Sequence, residues 1–382
     1  MSSQITALEA APTKHLYTDV GSVRVDTPPS AAVRVGHVQD EIEMNAMGTG
    51  RNTEPSINSE NIEPEINARK EWFAIAACCW CLFLNGWNDA AIGTILPAIR
   101  NHYDLSFTVI SLLFVFGCVG SISAAVLNVY LNDRLGFGRV MLFGALCQVL
   151  AYSILVPAFP FPVMCLAYVI NGFGMGLQDY QANGFVAALP YNTSAKMGLL
   201  HSGYGAGAFI APMVSTRLLQ YYRWSFLYLA PLSMAAIDAV VLFTVFRFHT
   251  QEELLGPVQI DPSEAASNQR KYHRIFRSWP VQLFALFSLL YVGTETTIGG
   301  WIVTFVVEER GLGQSAGLIS SGFFGGLMVG RIILLWLNAR IGERIVVYFY
   351  IALMIGLELT VWLLPNVIGN AVAISLVGIL MG

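Results

Sequence analysis

The chain has 382 residues, 55% of them hydrophobic and 12% charged, with a mean hydropathy of +0.58. A soluble domain carries about 25% charged residues, so an ordinary water-soluble globular protein is excluded. The net charge of -4 is unevenly placed: residues 1–68 hold 10 Asp/Glu against 4 Lys/Arg, and residues 69–382 hold 15 against 17. An acidic balance confined to one end gives no reason to expect a nucleic-acid partner.

Residues 1–68 are rich in Ser, Thr, Asn, Pro and Glu. Such a segment buries too little apolar area to offset its ordering entropy and reads as a disordered cytoplasmic tail. No basic stretch followed by an apolar run opens the chain, so no cleavable signal peptide is expected, and the run from Trp72 serves as the insertion signal. A helix needs about 20 mostly apolar residues to cross the hydrocarbon. Nine complete candidates follow: 72–98, 107–131, 139–158, 161–188, 198–221, 225–247, 280–306, 315–337 and 345–365. A tenth apolar run starts near Asn370 and reaches Gly382 without a flanking charge, which reads as a fragment or a truncated gene model.

With the N-terminus in the cytoplasm, 12 Lys/Arg fall inside and 4 outside, a strong positive-inside bias. The sequon at Asn192 then lies in a cytoplasmic loop and stays unglycosylated. The cytoplasmic linker 248–279 divides the membrane part into a six-helix half, 69–247, and a partial second half, 280–382. The halves repeat. Asn88-Asp89-Ala90-Ala91-Ile92-Gly93 matches Thr294-Glu295-Thr296-Thr297-Ile298-Gly299, and Leu131-Asn132-Asp133-Arg134-Leu135-Gly136 matches Leu337-Asn338-Ala339-Arg340-Ile341-Gly342, both 206 residues on. A 6+6 parallel repeat predicts a transporter with its site between the halves.

A charge inside the bilayer costs about 2.5–3.5 kcal/mol on insertion scales, so each needs a reason. Asp89 lies in the first span with Asn85 and Asn88. Asp179 lies in the fourth, in Gln178-Asp179-Tyr180-Gln181-Ala182-Asn183, and Glu295 lies in the seventh. A carboxyl group that gains and loses a proton suits proton coupling, and the amides Asn85, Asn88, Gln178 and Asn183 donate and accept, which suits a polyhydroxylated solute. His201 opens the fifth span among glycines and offers a ligand contact or a backbone bond. Trp87 and Trp301 flank the polar clusters and offer rings to sugar C–H faces or to packing. Asp238 and Glu358 lack polar neighbours, so an interhelical bond and a functional role both stay open. Arg331 reads as a buried counter-ion or as a side chain snorkelling to the cytoplasmic face. The six cysteines all lie in apolar runs, which excludes a secreted disulfide scaffold, and Cys78-Cys79-Trp80-Cys81 has no zinc spacing. No nucleophile–base pair, Walker motif or metal cluster is present, so neither an enzyme nor a cofactor or metal site is expected.

The loop Asp133-Arg134-Leu135-Gly136-Phe137-Gly138-Arg139 resembles the loop signature between the second and third spans of the major facilitator superfamily. It departs in having Val129 in place of the leading Gly and in the late position of Arg139; the copy over Leu337–Arg344 has Ala339 in place of Asp. Asn85-Gly86-Trp87-Asn88-Asp89, the Gln178 to Asn183 run and His201-Ser202-Gly203-Tyr204-Gly205 resemble fucose permease-type sugar–proton symporters, their fungal branch above all. The resemblance implies an all-α helical bundle, here with 9–10 spans and an incomplete second half, and alternating-access symport of a sugar or similar small polar solute with a proton. It also implies proton coupling at Asp89 and Asp179, to which the repeat adds Glu295 as the counterpart of Asp89, and gating by Asp133, Arg134, Arg139 and Arg340. The rivals are an exporter of amphiphilic compounds on the same fold, and a non-transporting sensor or inactive fragment. A monomer in the bilayer is expected, and the reading covers plasma membrane, vacuole and other endomembranes alike.

Overall fold

The computed structural model describes residues 68–247, 277–313 and 315–382. The expected tail, up to residue 67, and the linker over 248–276 lie outside the described residues. The described chain folds into helices: α1 (Ala68–Tyr103), α2 (Phe107–Ile110), α3 (Leu112–Leu135), α4 (Phe137–Leu155), α5 (Phe161–Ala187), α6 (Thr193–Leu219), a 3-10 turn (Trp224–Tyr228) and α7 (Leu229–Phe246). After the linker come α8 (Trp279–Arg310), α9 (Gly317–Ile341), α10 (Glu343–Leu363) and α11 (Val367–Met381). Each of the nine spans read from hydropathy coincides with a helical segment, and the tenth run forms the 15-residue α11.

Seven of these segments are long and apolar enough to cross a membrane. α1 and α6 are not among the seven, although they are 36 and 27 residues long. Their sequences explain this. α1 carries Asn85, Asn88 and Asp89 in its middle, and α6 carries Lys196, His201, Ser202 and Arg217. The helices that hold polar groups for the interior are those with the weakest hydropathy signal. Large apolar side chains elsewhere, such as Val126, Phe284, Leu289 and Phe349, point outward, where lipid receives them.

The repeat in the sequence reappears as repeated structure. α3 and α4 turn at Gly136 (φ 82°), and α9 and α10 turn at Gly342 (φ 98°), 206 residues on. Both backbones lie where an L side chain is strained, so glycine is required at the two equivalent corners. α5 packs on α3 and α4, and α11 packs on α9 and α10 in the same way. The halves meet through α1 against α8 and α6 against α9.

Within the first half, α1 and α6 approach to backbone contact. A Cβ added at Gly86 would collide with the Tyr204 carbonyl, and one at Gly207 with the Phe83 carbonyl. Small residues permit such approaches where lipid offers no hydrophobic driving force between helices. At the start of both helices Lys196 and Glu71 form an ion pair, each side chain nearly buried. Breaking such a pair strands a charge and costs about 3–5 kcal/mol. Gly207→Val is therefore expected to lower the thermal unfolding midpoint in detergent sharply, because the side chain meets backbone rather than a movable side chain. Gly198→Ala, with open space around it on the same helix, should leave the midpoint unchanged.

Candidate functional site

The close contact of α1 and α6 sets the centre of the site. It places Tyr204 beside Asp89, and the Tyr204 hydroxyl donates to Asp89 Oδ2 at 2.9 Å. Asp89 is exposed although it lies well inside α1. Its charge is felt together with those of Asp179 on α5 and Glu295 on α8, so it opens into the cleft that the two halves share. Asp179 is half-buried and accepts from Asn183 Nδ2 at 3.1 Å, one turn on along α5. Glu295 is half-buried on α8, beside Tyr291 and within reach of the Arg331 charge. His201, on α6, is half-buried as well.

Asn88 is half-buried and fixed from behind. Its Oδ1 accepts from Tyr152 Oη at 3.1 Å and from Asn171 Nδ2 at 2.9 Å. That leaves its amide nitrogen, on the residue that precedes Asp89. Tyr152, Asn171 and Tyr204 were given no site role from sequence, Tyr204 being read only as part of the His201 to Gly205 motif. Tyr204 carried a usable signal, since it lies three residues after His201 and so shares its helix face.

Four of the expected ligands make their contacts within the protein. Asn85 is 3% exposed and reaches only the Met175 carbonyl, at 3.4 Å. Trp87 is 5% exposed and packs on Phe83. Gln178 is fully buried and faces the interior of the first half, where Nε2 donates to Asp238 Oδ2 at 2.6 Å and Oε1 accepts from Gln148 Nε2 at 2.6 Å. Cys81 completes that cluster by donating its thiol to Asp238 Oδ1 at 3.2 Å. Gln178 and Asp179 are neighbours in sequence but about 100° apart around the helix, so one serves the core and the other the cleft. Trp301 sets its ring against Phe107 and Phe114 of the other half, at centroid distances of 6.2 and 6.0 Å.

That aromatic contact lies next to an ion pair between the halves. Arg100 Nη1 meets Glu308 Oε1 at 2.5 Å, and its guanidinium lies 3.9 Å from the centre of the Phe107 ring. Gly93 lies against the backbone of Gly299 and Gly300 in the same seam. The residues expected to gate lie at the opposite ends of the helices. Asp133, Arg134, Arg139 and Arg340 are all exposed, with Arg134 over the Tyr130 ring at 5.4 Å. Among the described residues no group of three or more His, Cys, Asp or Glu is placed to hold a metal ion.

The family model described as Major Facilitator Superfamily matches residues 78–382. Among curated proteins, the chain is 27% identical over 287 residues to "Bypass of stop codon protein 6" of Saccharomyces cerevisiae, covering 71% of this chain and 58% of that protein. The chain thus spans little more than half the length of that relative. It is 23% identical over 296 residues to a glucose/galactose transporter of Brucella abortus, covering 73% of this chain and 70% of the other. It is 25% identical over 335 residues to the mouse sodium-dependent glucose transporter 1A, covering 75% and 76%. Among solved structures, a D-xylose–proton symporter superposes with a TM-score of 0.65 at 13% identity, covering 81% of this chain and 79% of that one. At that identity the likeness is one of fold.

Gln178→Leu is expected to lower stability by about 2 kcal/mol, because it removes one of the two side-chain donors on a buried carboxylate. Denaturation in detergent checks this. Asn183→Ala, which removes a contact at the edge of the cleft, should cost well under half as much.

Proposed function

The chain belongs to the Major Facilitator Superfamily, and from that premise we propose that it is a proton-coupled symporter of a sugar or similar small polar solute, working by alternating access. The observation that carries the reading is Asp89: a carboxyl group in mid-helix, open to the cleft and hydrogen-bonded to Tyr204. The family's members move solutes, and an acid at such a depth is expensive unless it is used. Both transporters of Brucella abortus and mouse described above carry glucose or galactose in their names, which supports a sugar as the solute.

In this reading Asp89 takes the proton. Asp179 and Glu295 share the cleft and set its negative field. Asn88, Asn183 and His201 are the solute-facing donors and acceptors, since Asn85 and Gln178 are committed to the core. Protonation of Asp89 removes a charge from the shared cleft. The conformer in which that carboxyl group is most poorly solvated gains most from the change, and the equilibrium between conformers shifts by that difference. With the N-terminus cytoplasmic, Arg100, Glu308, Phe107 and Trp301 close the outer face, and the loop of Asp133, Arg134 and Arg139 with Arg340 closes the inner face in the other conformer. The solute then moves inward with its proton.

A second reading has one observation in its favour. With Trp87, Asn85 and Gln178 withdrawn, the cleft has fewer neutral polar groups than a sugar site of all the expected residues would have. An exporter of amphiphilic compounds on the same fold fits that composition.

The test is proton uptake into vesicles that contain the reconstituted protein and an internal pH dye, with hexoses, pentoses and polyols added singly. Internal acidification is expected with at least one of them and should vanish in Asp89→Asn. No proton movement with any of them, from protein that unfolds cooperatively, sinks the symporter reading and favours the exporter.

A further inference from the structure

Serine and threonine side chains inside a helix commonly satisfy themselves by donating to the carbonyl one turn back. Ser123, Ser153, Ser202, Thr294, Thr297 and Thr360 do so here, at 2.7–2.8 Å. Five others do not. Thr94 of α1, Thr216 of α6, Thr304 of α8 and Ser320 and Ser321 of α9 are each at most 5% exposed, and none of their hydroxyls has a partner in the protein. They share one place in the fold. A Cβ added at Gly317 of α9 would collide with Thr216 Oγ1 and Thr94 Cγ2, so both threonines of the first half meet the start of α9. On α9, Ser321 lies one turn from Gly317 and one turn from Gly325, which meets Phe209 of α6. Ser320 lies between Gly317 and Phe324, which meets Gly299 of α8. On α8, Thr304 lies one turn from Gly300, which meets Phe114, and one turn from Glu308, which meets Arg100. All five hydroxyls therefore line the seam between the halves, on the side of the Arg100–Glu308 pair, where Trp301 also meets Phe107 and Phe114.

We propose that these hydroxyls form an entry site: with the seam parted, they hold a polyhydroxylated solute at the mouth, ahead of the cleft. This rests on the sugar-symport reading above and names a second place where that solute is bound. The five groups are neutral, and each both donates and accepts, as the hydroxyls of a polyol do. Not being spent on their own helices, they are free for an outside partner. The rings of Trp301, Phe107 and Phe114 share the seam, so an aromatic face for the C–H side of a sugar lies beside hydroxyls for its polar edge. The charges nearest the seam, Arg100 and Glu308, are paired with each other. Recognition at the mouth thus runs through neutral groups, apart from the acid that takes the proton. The closed seam has no space for a solute, since Gly317 lies against Thr216 and Gly93 against the backbone of Gly299. The solute must therefore pass on to the cleft before the seam shuts. The site is one-sided: it serves a solute that arrives at the mouth (from outside, with the N-terminus cytoplasmic) and not one that arrives from the other face.

Half-saturation measured from each side tests this. Initial uptake of labelled D-glucose, D-galactose and D-xylose into right-side-out membrane vesicles gives the outer value, and uptake into inside-out vesicles gives the inner one. Thr94→Val with Thr216→Val keeps the side-chain shapes and removes two hydroxyls. For whichever sugar is carried, the outer half-saturation concentration is expected to rise about tenfold, about threefold for each hydrogen bond lost. The inner value should stay at its wild-type level. A mere shift in the balance of conformers would raise the outer value and lower the inner one together, because it moves the two competent populations in opposite directions. That result overturns the proposal, and so does an outer value that does not move. If the double variant fails to fold, Ser320→Ala decides the matter, with a rise of about threefold on the outer side alone as the expected result. A wild type that carries none of the three sugars removes the sugar reading and the entry site together. Sugar carried equally well from both sides by wild type and variants removes the entry site alone.

Discussion

The contact of α1 with α6 is the constraint on which the site depends. Gly86 and Gly207 let two helices touch through their backbones, with no side chain between them. Only at that spacing does Tyr204 of α6 reach the carboxylate of Asp89 on α1. The buried Lys196–Glu71 pair fixes the same two helices at their starts, so their register is held at one end by charge and in the middle by shape. A helix rotation of even one residue, about 100°, would turn Asp89 away from the cleft.

Around that fixed pair the molecule separates two kinds of polar group. One kind holds the first half together: Gln148, Gln178, Asp238 and Cys81 form a buried hydrogen-bonded cluster, and Tyr152 and Asn171 hold Asn88 in place. The other kind stays partly open: Asp89, Asp179, Asn183, His201, Glu295 and Arg331. In hydrocarbon a polar group must find a partner inside the protein, so the first kind gives the half its rigidity. A rigid half can rock as one body, whereas a soft one would absorb the change locally. The seam of Arg100, Glu308, Phe107, Phe114 and Trp301 is where two such bodies are joined in this conformer.

Much of this was legible in the sequence. Apolar runs marked each long helix among the described residues, and seven segments are long and apolar enough to cross a membrane. The 206-residue repeat was legible because both corners need glycine for the same backbone reason, at Gly136 and Gly342. Asp89 stood out because an acid is costly at that depth. The faces of the helices were not legible. An interior helix such as α5 has a core side and a cleft side, both shielded from lipid and both able to carry amides. Periodicity marks neither side, so Gln178 and Asp179 looked alike until the packing of Asp238 against Gln178 told them apart. Trp301 read as a possible stacking platform, and only the position of Phe107 and Phe114 shows it in the seam. Arg331 could be a counter-ion or a snorkelling side chain on sequence alone. One of its partners is a backbone carbonyl, which no side-chain pattern reveals.

The central claim is that Asp89 changes its protonation state as the protein works. Infrared difference spectroscopy on the reconstituted protein sees that change directly, as a carbonyl stretch of a protonated carboxyl group that appears when the vesicles are acidified. The account predicts a band that is present in the wild type, absent in Asp89→Asn and displaced in Tyr204→Phe, where the hydrogen bond to the carboxyl group is removed. A spectrum in which Asp89→Asn leaves every carboxyl band in place would contradict it.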